Sequence, residues 1–490
     1  MRREKYVSCI IGALGGWLAG FGATGGVVYM WLAISFLWGI SRNISAAFLW
    51  GLVAVLVSHS WLLALHPLSW IGVPGFLSLP IAISIWFICG VCSGLLVGFW
   101  SYVGNSFLLN GFRGKDVALK LLSALVLSCT WGLAEVLLAH YPLFWIGVGQ
   151  SVLPNDMFLA GLAKWFGSGG LATVQLLIGF SLWNAALAIR RGLGAKKAIV
   201  FCLLFACLMH IIGARLLVVK PVSDVIPVAL WQSDIPIRTK FSKDEQIRIP
   251  QSIQDSLHKA KDLSASWLVA PEGTLNANQE LLEPAPIPFL AGGFRWVRGE
   301  QRSSLLFFDR GERKSSNAID KHRLVPLGEK VPSFPRFSNG LSAVGGLHPG
   351  DPSRLFNWSG PAVAVAICYE LSDGHALAKA VRDGAEWILV LANLDPYPIS
   401  LQRQFVSLAQ LRSMETSRDL ISVANTGPSA LIKASGEIQQ MVPPFVETTE
   451  VVELQLEDRI TAYTRWQELP LICIFLVGLF GVIFLRFWLN

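Results

Sequence analysis

Residues 362–374 read "AVAVAICYELSDG": six small apolar residues, Ala362 to Ile367, end abruptly in Cys368-Tyr369-Glu370. A continuous apolar run without alternation describes a strand buried on both faces. Five more segments share that character: "DVIPVALWQ" (224–232), "SWLVAPEG" (266–273), "SSLLFFD" (303–309), "EWILVLAN" (386–393) and "LISVANTG" (420–427). Between them, 244–264 and 400–419 carry apolar residues at helical spacing and read as amphipathic helices. Strands alternating with helices predict a layered α/β domain with both sheet faces covered. Such folds place chemistry at strand ends and in the loops that follow, which is where Cys368 falls.

Outward from this region the composition changes. The chain of 490 residues is 53% hydrophobic and 15% charged, against roughly 25% charged in ordinary soluble domains. The mean hydropathy is +0.51. A spanning helix needs about 20 mostly apolar residues, and eight segments qualify as candidates: 6–22, 25–40, 45–65, 77–100, 117–140, 169–189, 197–219 and 469–489. The expected organisation is a helical membrane region over 1–219, an extramembrane domain over 220–466 and a closing span over 467–490. Basic residues cluster in alternate loops: Arg2, Arg3 and Lys5 before the first span, Arg42 after the second, Arg113, Lys115 and Lys120 after the fourth, and Arg190, Arg191, Lys196 and Lys197 after the sixth. The positive-inside rule then puts both termini in the cytoplasm and the large domain in the periplasm, across a bacterial inner membrane. The net charge of +7 follows from this asymmetry, and no nucleic-acid motif accompanies it.

Seven of the eight cysteines lie in apolar spans, where Cys is a small buried hydrophobe. Cys89 and Cys92 form a C-x-x-C inside such a span, without His or carboxylate neighbours to make it a redox or metal site. Cys368 is the lone cysteine of the extramembrane domain. A cysteine nucleophile needs a base for its proton and a cation for the attacked oxygen. Two further segments supply such groups: "LVAPEGT" with Glu272, and "DKHRLVPLGEKVP" (320–332) with Lys321 and Glu329. Each alone is more often a solvated charge. In the membrane region, Glu135 is an intramembrane carboxylate, read either as functional or as a satisfied interhelical hydrogen bond.

Glu, Lys and Cys in this chain order resemble the nitrilase superfamily, and its membrane-bound branch, the apolipoprotein N-acyltransferase family, in particular. That family carries a signature close to D-K-x-x-L-V-P-F-G-E-x-V-P. Residues 320–332 depart from it only at Leu327, "PEGT" resembles its P-E-T/S segment, and "AICYE" matches its Cys-Tyr-Glu. The resemblance implies an αββα sandwich on the membrane helices, with Glu272 as general base, Lys321 at the oxyanion and Cys368 as nucleophile. Glu329 and Glu370 match supporting acidic positions, and Tyr369 falls inside the Cys motif. Glu329 is read alternatively as a structural ion pair, and Glu370 as a solvated residue beyond a strand end. The implied reaction is ping-pong. An acyl chain passes from a phospholipid to Cys368 as a thioester, and then to the amino terminus of a diacylglyceryl-cysteine lipoprotein. No cofactor is expected, and oligomeric state is not legible. "PIPFLAGGF" (286–294) and "WQELPLI" (466–472) are candidate contacts with membrane lipid.

Three segments depart from the family. Its Asn-Asp-Ala-Trp-Phe-Gly stretch stands here as "ANLDPYP" (392–398), its Gln-His pair as Gln404-Phe405, and its Glu-Trp-x-Arg as "LAEVLLAHYP" (133–142), without the Arg. These changes concern lipid and acceptor handling, so alternatives stand beside the first reading. One is an amidase or nitrilase-type hydrolase. The other is a conjugal-transfer TraB-like protein acting on another envelope component.

Overall fold

The computed structural model describes residues 2–23, 26–68, 73–108, 117–141, 144–192, 194–218, 225–236, 240, 242–326, 328–329, 346–395 and 397–489. Arg113, Lys115, Leu327, residues 330–332 and Pro396, all used above, lie outside the described residues. The chain forms two compact units. One comprises Met1–Pro67, Gly75–Val218 and Trp466–Asn490, the other Leu68–Pro74 and Val219–Arg465.

The first unit is helical. Its helices are α1 (Arg2–Gly22), α2 (Val27–Ile40), α3 (Ile44–Ser58), α4 (Gly75–Val103), α5 (Val117–Ala139), the single turn α6 (Met157–Ala160), α7 (Ala163–Arg191) and α8 (Ala195–Leu217). Later in the chain this unit also holds a C-terminal helix, Leu469–Leu489. Among the described residues five helices are long and apolar enough to cross a membrane, and α2 and α3 are shorter apolar helices. The expected third span, 45–65, is divided: α3 ends at Ser58 and a 3-10 turn covers Ser60–Leu65. Lipid-like surroundings give helices little hydrophobic reason to associate, so packing and interhelical hydrogen bonds hold them together. Tryptophans do this here. Trp38, Trp100, Trp131 and Trp50 form a chain of edge-to-face rings with centroids 5.5–6.0 Å apart. The indoles of Trp38, Trp50 and Trp100 donate to the carbonyls of Leu176, Ala33 and Leu127 on other helices.

The second unit has two six-stranded sheets. The first has the order β12-β1-β2-β3-β4-β5, with β1 (Val225–Gln232), β2 (Trp267–Leu275), β3 (Phe289–Val297), β4 (Glu300–Phe308), β5 (Asn317–Asp320) and β12 (Thr448–Gln455). The second has the order β11-β10-β9-β8-β7-β6, with β6 (Leu355–Phe356), β7 (Val363–Ile367), β8 (Trp387–Ala392), β9 (Leu420–Ala424), β10 (Ser429–Ile432) and β11 (Ile438–Val442). In each sheet three adjacent strands run parallel: β1, β2 and β3, and β7, β8 and β9. β12 closes the first sheet antiparallel to β1, pairing Val225 with Gln455 and Gln232 with Thr448. The period of two splits each strand. Val269, Leu290 and Leu305 face Val365, Leu389 and Val423 in a core between the sheets. Leu268, Ala270 and Phe289 turn outward against Ile249, Ile253 and Leu257 of α9 (Lys243–Asp262). On the far side, α10 (Gly374–Arg382) and α11 (Ile399–Thr416) contact β7 and β9. The unit is therefore an αββα sandwich. Two short elements complete the chain, α12 (Ala462–Trp466) and α13, the Leu469–Leu489 helix above.

Two expectations are corrected. "PIPFLAGGF" is no membrane-facing loop: Phe289 and Leu290 are fully buried in β3. α11 is not amphipathic either. It is buried almost all round, and its polar residues find partners inside, with Arg412 on Glu415 and Gln410 on the Gly436 carbonyl.

Candidate active site

Three strand ends build the site. β2 and β3 slip register between Ala270 and Leu275, and the extra residues turn Glu272 sideways. Gly292 on β3 makes room, since a Cβ there would lie 2.4 Å from the Glu272 Cα. Glu272 accepts from Lys321 Nζ (2.8 Å) on one oxygen and from the Asn393 N–H (3.2 Å) on the other.

Lys321 follows β5 directly. Its N–H donates to Ser303 O and its carbonyl accepts from Gly350 N, both at 2.8 Å. The preceding Asp320 is clamped by Arg295 (2.6 and 2.8 Å), Arg302 (3.1 Å) and Ser304 (2.7 Å). The Lys321 side chain is fully buried, with Nζ between Glu272 and Glu329 (2.7 Å). The second Glu329 oxygen accepts from Val325 N (2.8 Å).

Cys368 sits where β7 breaks into a 3-10 turn, Cys368–Ser372. Its φ is +52°, a left-handed conformation that costs a residue with a Cβ on the order of 1–3 kcal/mol and turns its side chain off the strand path. Glu370 stabilises this turn. The reading of Glu370 as solvated is wrong, because it is 3% exposed. It accepts from the N–H groups of Ile367 (2.9 Å), His322 (2.7 Å) and Arg323 (3.1 Å), and from Arg354 Nη1 on both oxygens (2.8 and 2.9 Å). Tyr369 lies under the Arg323 guanidinium, 5.2 Å from the ring centroid.

The electrostatics follow from one ammonium shared by two carboxylates. Burial works against the Lys321 charge, but Glu272, Glu329 and the thiol outweigh it and hold Lys321 well above its ordinary range. Burial raises the Glu329 carboxyl, Lys321 opposes this, and the Glu272 charge adds to it. Burial also pushes the Cys368 thiol up, helped by Glu272 and Glu329 and opposed by Lys321 and the Asn393 N–H. The cluster thus places a lysine whose charge is held by two carboxylates beside a thiol whose proton burial holds in place.

Glu272, Lys321, Glu329, Cys368, Tyr369 and Glu370 all converge in the α/β unit. Glu135 belongs to the helical unit. It accepts from Trp131 Nε1 (2.8 Å) on its own helix and from the N–H groups of Val148 (2.6 Å) and Gly149 (3.1 Å), at the start of the 3-10 turn Gly149–Val152. Gly147 lets this loop close on it, since a Cβ there would lie 2.4 Å from the carboxylate.

Sequence reasoning missed three residues. Lys240 stands over the Phe294 ring at 5.9 Å and is lowered to about 8 by burial, against the pull of Glu272. Tyr397, in the departing "ANLDPYP" segment, has its phenol pushed up by burial and by the neighbouring Cys368 and Glu329. Arg354, in an unremarkable "DPSRLF", carried no signal at all. Among the described residues no His, Cys, Asp and Glu group of three or more could hold a metal ion.

No family model matches the chain. Solved chains similar to it include a branch 10 nitrilase-superfamily protein of Saccharomyces cerevisiae, at 16% identity and TM-score 0.35, with 48% of this chain and 92% of that one covered. An amidase from Nesterenkonia sp. matches at 15% identity and TM-score 0.34, covering 47% and 90%. Curated relatives match far more fully. Apolipoprotein N-acyltransferase of Prochlorococcus marinus (strain MIT 9313) is 56% identical over 484 residues, 98% of this chain and 97% of that protein. The Parasynechococcus marenigrum (strain WH8102) protein of the same name is 49% identical over 456 residues, 92% and 96% of the two chains. That of Thermosynechococcus vestitus is 27% identical over 489 residues, 96% and 91%. These relatives give no support to the conjugal-transfer alternative. With identity at this level running the length of both proteins, the chain belongs to the apolipoprotein N-acyltransferase family.

Proposed function

We propose that this protein transfers a fatty acyl chain from a membrane phospholipid to the N-terminal amine of a diacylglyceryl-cysteine lipoprotein, through a thioester on Cys368. The observation that carries this reading is the buried Lys321 ammonium held between Glu272 and Glu329, close enough to Cys368 for its charge to act on the thiol.

In the first half, Glu272 takes the thiol proton and the thiolate attacks the ester carbonyl carbon. Lys321 faces the negative oxygen that forms, where a preorganised cation is worth most. The ester C–O bond breaks, and the lysophospholipid oxygen leaves with the proton from Glu272. In the second half the lipoprotein amine attacks the thioester and Glu272 takes its proton. The amide forms as the C–S bond breaks, and the thiolate recovers the proton. Glu329 keeps Lys321 charged and oriented, and Glu370 and Tyr369 hold the turn that presents Cys368. Both lipid substrates lie in a bilayer, which fits a catalytic domain of residues 220–466 tethered by helices at both ends and facing the periplasm from the inner membrane. A reporter fused after residue 221 that gave a cytoplasmic signal would overturn this orientation.

The test is complementation of cells depleted of their own N-acyltransferase, with mass spectrometry of a lipoprotein amino terminus. The expected result is a third acyl chain with the wild-type protein, and its loss together with the thioester in Cys368→Ala at equal expression. A third chain formed at the wild-type rate by Cys368→Ala overturns the nucleophile assignment.

A further inference from the structure

Lys321 and Cys368 belong to different sheets. β5 pairs with β4 at the edge of one, and β7 pairs with β6 and β8 in the other. Among the described residues no backbone ladder joins the two strand ends. One guanidinium spans them. Arg354, just before β6, is 3% exposed and tied to β7 through its carbonyl, which accepts from Val365 N (2.8 Å). Its Nη1 donates to both oxygens of Glu370, two residues beyond Cys368, and its Nη2 donates to the carbonyl of Asp320, the residue before Lys321 (2.9 Å), and to that of Asp351 (2.5 Å). Glu370 closes the bridge from the other side by accepting the His322 and Arg323 N–H groups.

We propose that Arg354 is a positioning residue that sets the separation of Lys321 from Cys368 by holding Glu370 and the Asp320 carbonyl on one rigid plane. The proposal rests on the reading of Cys368 as nucleophile and adds a residue that this reading does not contain. A buried ion pair is weak as a source of stability, because desolvation offsets the attraction. What a guanidinium adds is a planar fork with fixed donor directions, which an ammonium lacks. Displacements near 1 Å at a reacting centre cost on the order of 100-fold in rate, so a bridge of this kind acts through geometry.

The test uses full-length protein in detergent. Cys368 alkylation is followed against pH by mass spectrometry of its peptide, alongside thioester formation from phospholipid micelles. The groups acting on that thiol are Glu272 from β2, Lys321 after β5, Glu329 from the loop beyond it and the Asn393 N–H after β8, and the thiol in turn acts on the Tyr397 phenol. Lys321 lowers the thiol, so its release moves the alkylation midpoint to higher pH. Arg354→Met alone strands a buried carboxylate, so it is combined with Glu370→Gln. The folded double variant is expected to show a raised midpoint and about 100-fold slower thioester formation. Arg354→Lys, which keeps the charge and loses the fork, is expected to move both in the same direction, and it carries the test if the double variant does not fold. An unmoved midpoint with thioester formation within threefold of wild type overturns the proposal. If alkylated wild-type protein still transfers acyl chains, the nucleophile reading fails instead, and the midpoint shift still decides the role of Arg354.

Discussion

Glu135 in the helical unit is buried and Glu272 in the α/β unit is nearly so, but their partners differ in kind. Glu135 meets three neutral donors, two backbone N–H groups and an indole, all fixed in place. Glu272 meets one backbone N–H and an ammonium that it shares with Glu329. Fixed neutral donors make a joint: they complete a carboxylate and leave it nothing further to do. A cation shared by two carboxylates beside a thiol satisfies neither of them alone, and a carboxylate so placed is within the charge network of the reacting group. Burial alone therefore does not mark a functional acid, and the partner set does.

This contrast breaks if the two sites respond alike to neutral substitution. The largest effect is expected in the α/β unit. Lys321→Met should slow thioester formation on the order of 100-fold or more, and a loss below tenfold would reduce Lys321 to a structural tie. Next comes the pH dependence of Cys368 alkylation. Lys321 lowers the thiol and Glu329 raises it. Lys321→Met should therefore move the midpoint up and Glu329→Gln should move it down. A shift of both in one direction would show that the variants act through loosened packing. The smallest effect on chemistry is expected at Glu135. Glu135→Gln keeps one accepting oxygen, so it should lower thermal stability by about 1–3 kcal/mol while leaving thioester formation within threefold. A large loss of activity in a stably folded Glu135→Gln protein would mean that the joint carries more than structure.

The parts of the fold legible in the sequence are those whose burial leaves an unbroken apolar run. β1, β2, β4, β7, β8 and β9 show such runs. β3 does not, because the prolines and glycines of "PIPFLAGGF" imitate a loop, although Gly292 is there to let Glu272 pass. β10 and β11 form an outer hairpin, and β11 alternates half-buried and exposed residues in "IQQMV", too weak a pattern to stand out. α11 misled in the opposite sense: its polar residues look solvent-facing, but they are paired inside. At the site, residue types and chain order directed attention to Glu272, Lys321 and Cys368. Arg354 could not be found that way. An arginine in a short loop is ordinary, and its significance arises only when two sheets bring Glu370 and Asp320 to its two ends.

The pairing of β1 with β12 has a consequence for biosynthesis. The first and last strands of the α/β unit are neighbours, so the first sheet is not closed until residues 448–455 have been made. Until residues 448–455 emerge, β1 has one edge unpaired, and open edges recruit other strands. Long-range closure of this kind is slow and leaves intermediates exposed. A transcript broken between the end of β1 at Gln232 and Thr448 would yield a membrane-tethered fragment with a bare strand, a target for quality-control proteases. The finished protein is protected by the last ladder it forms.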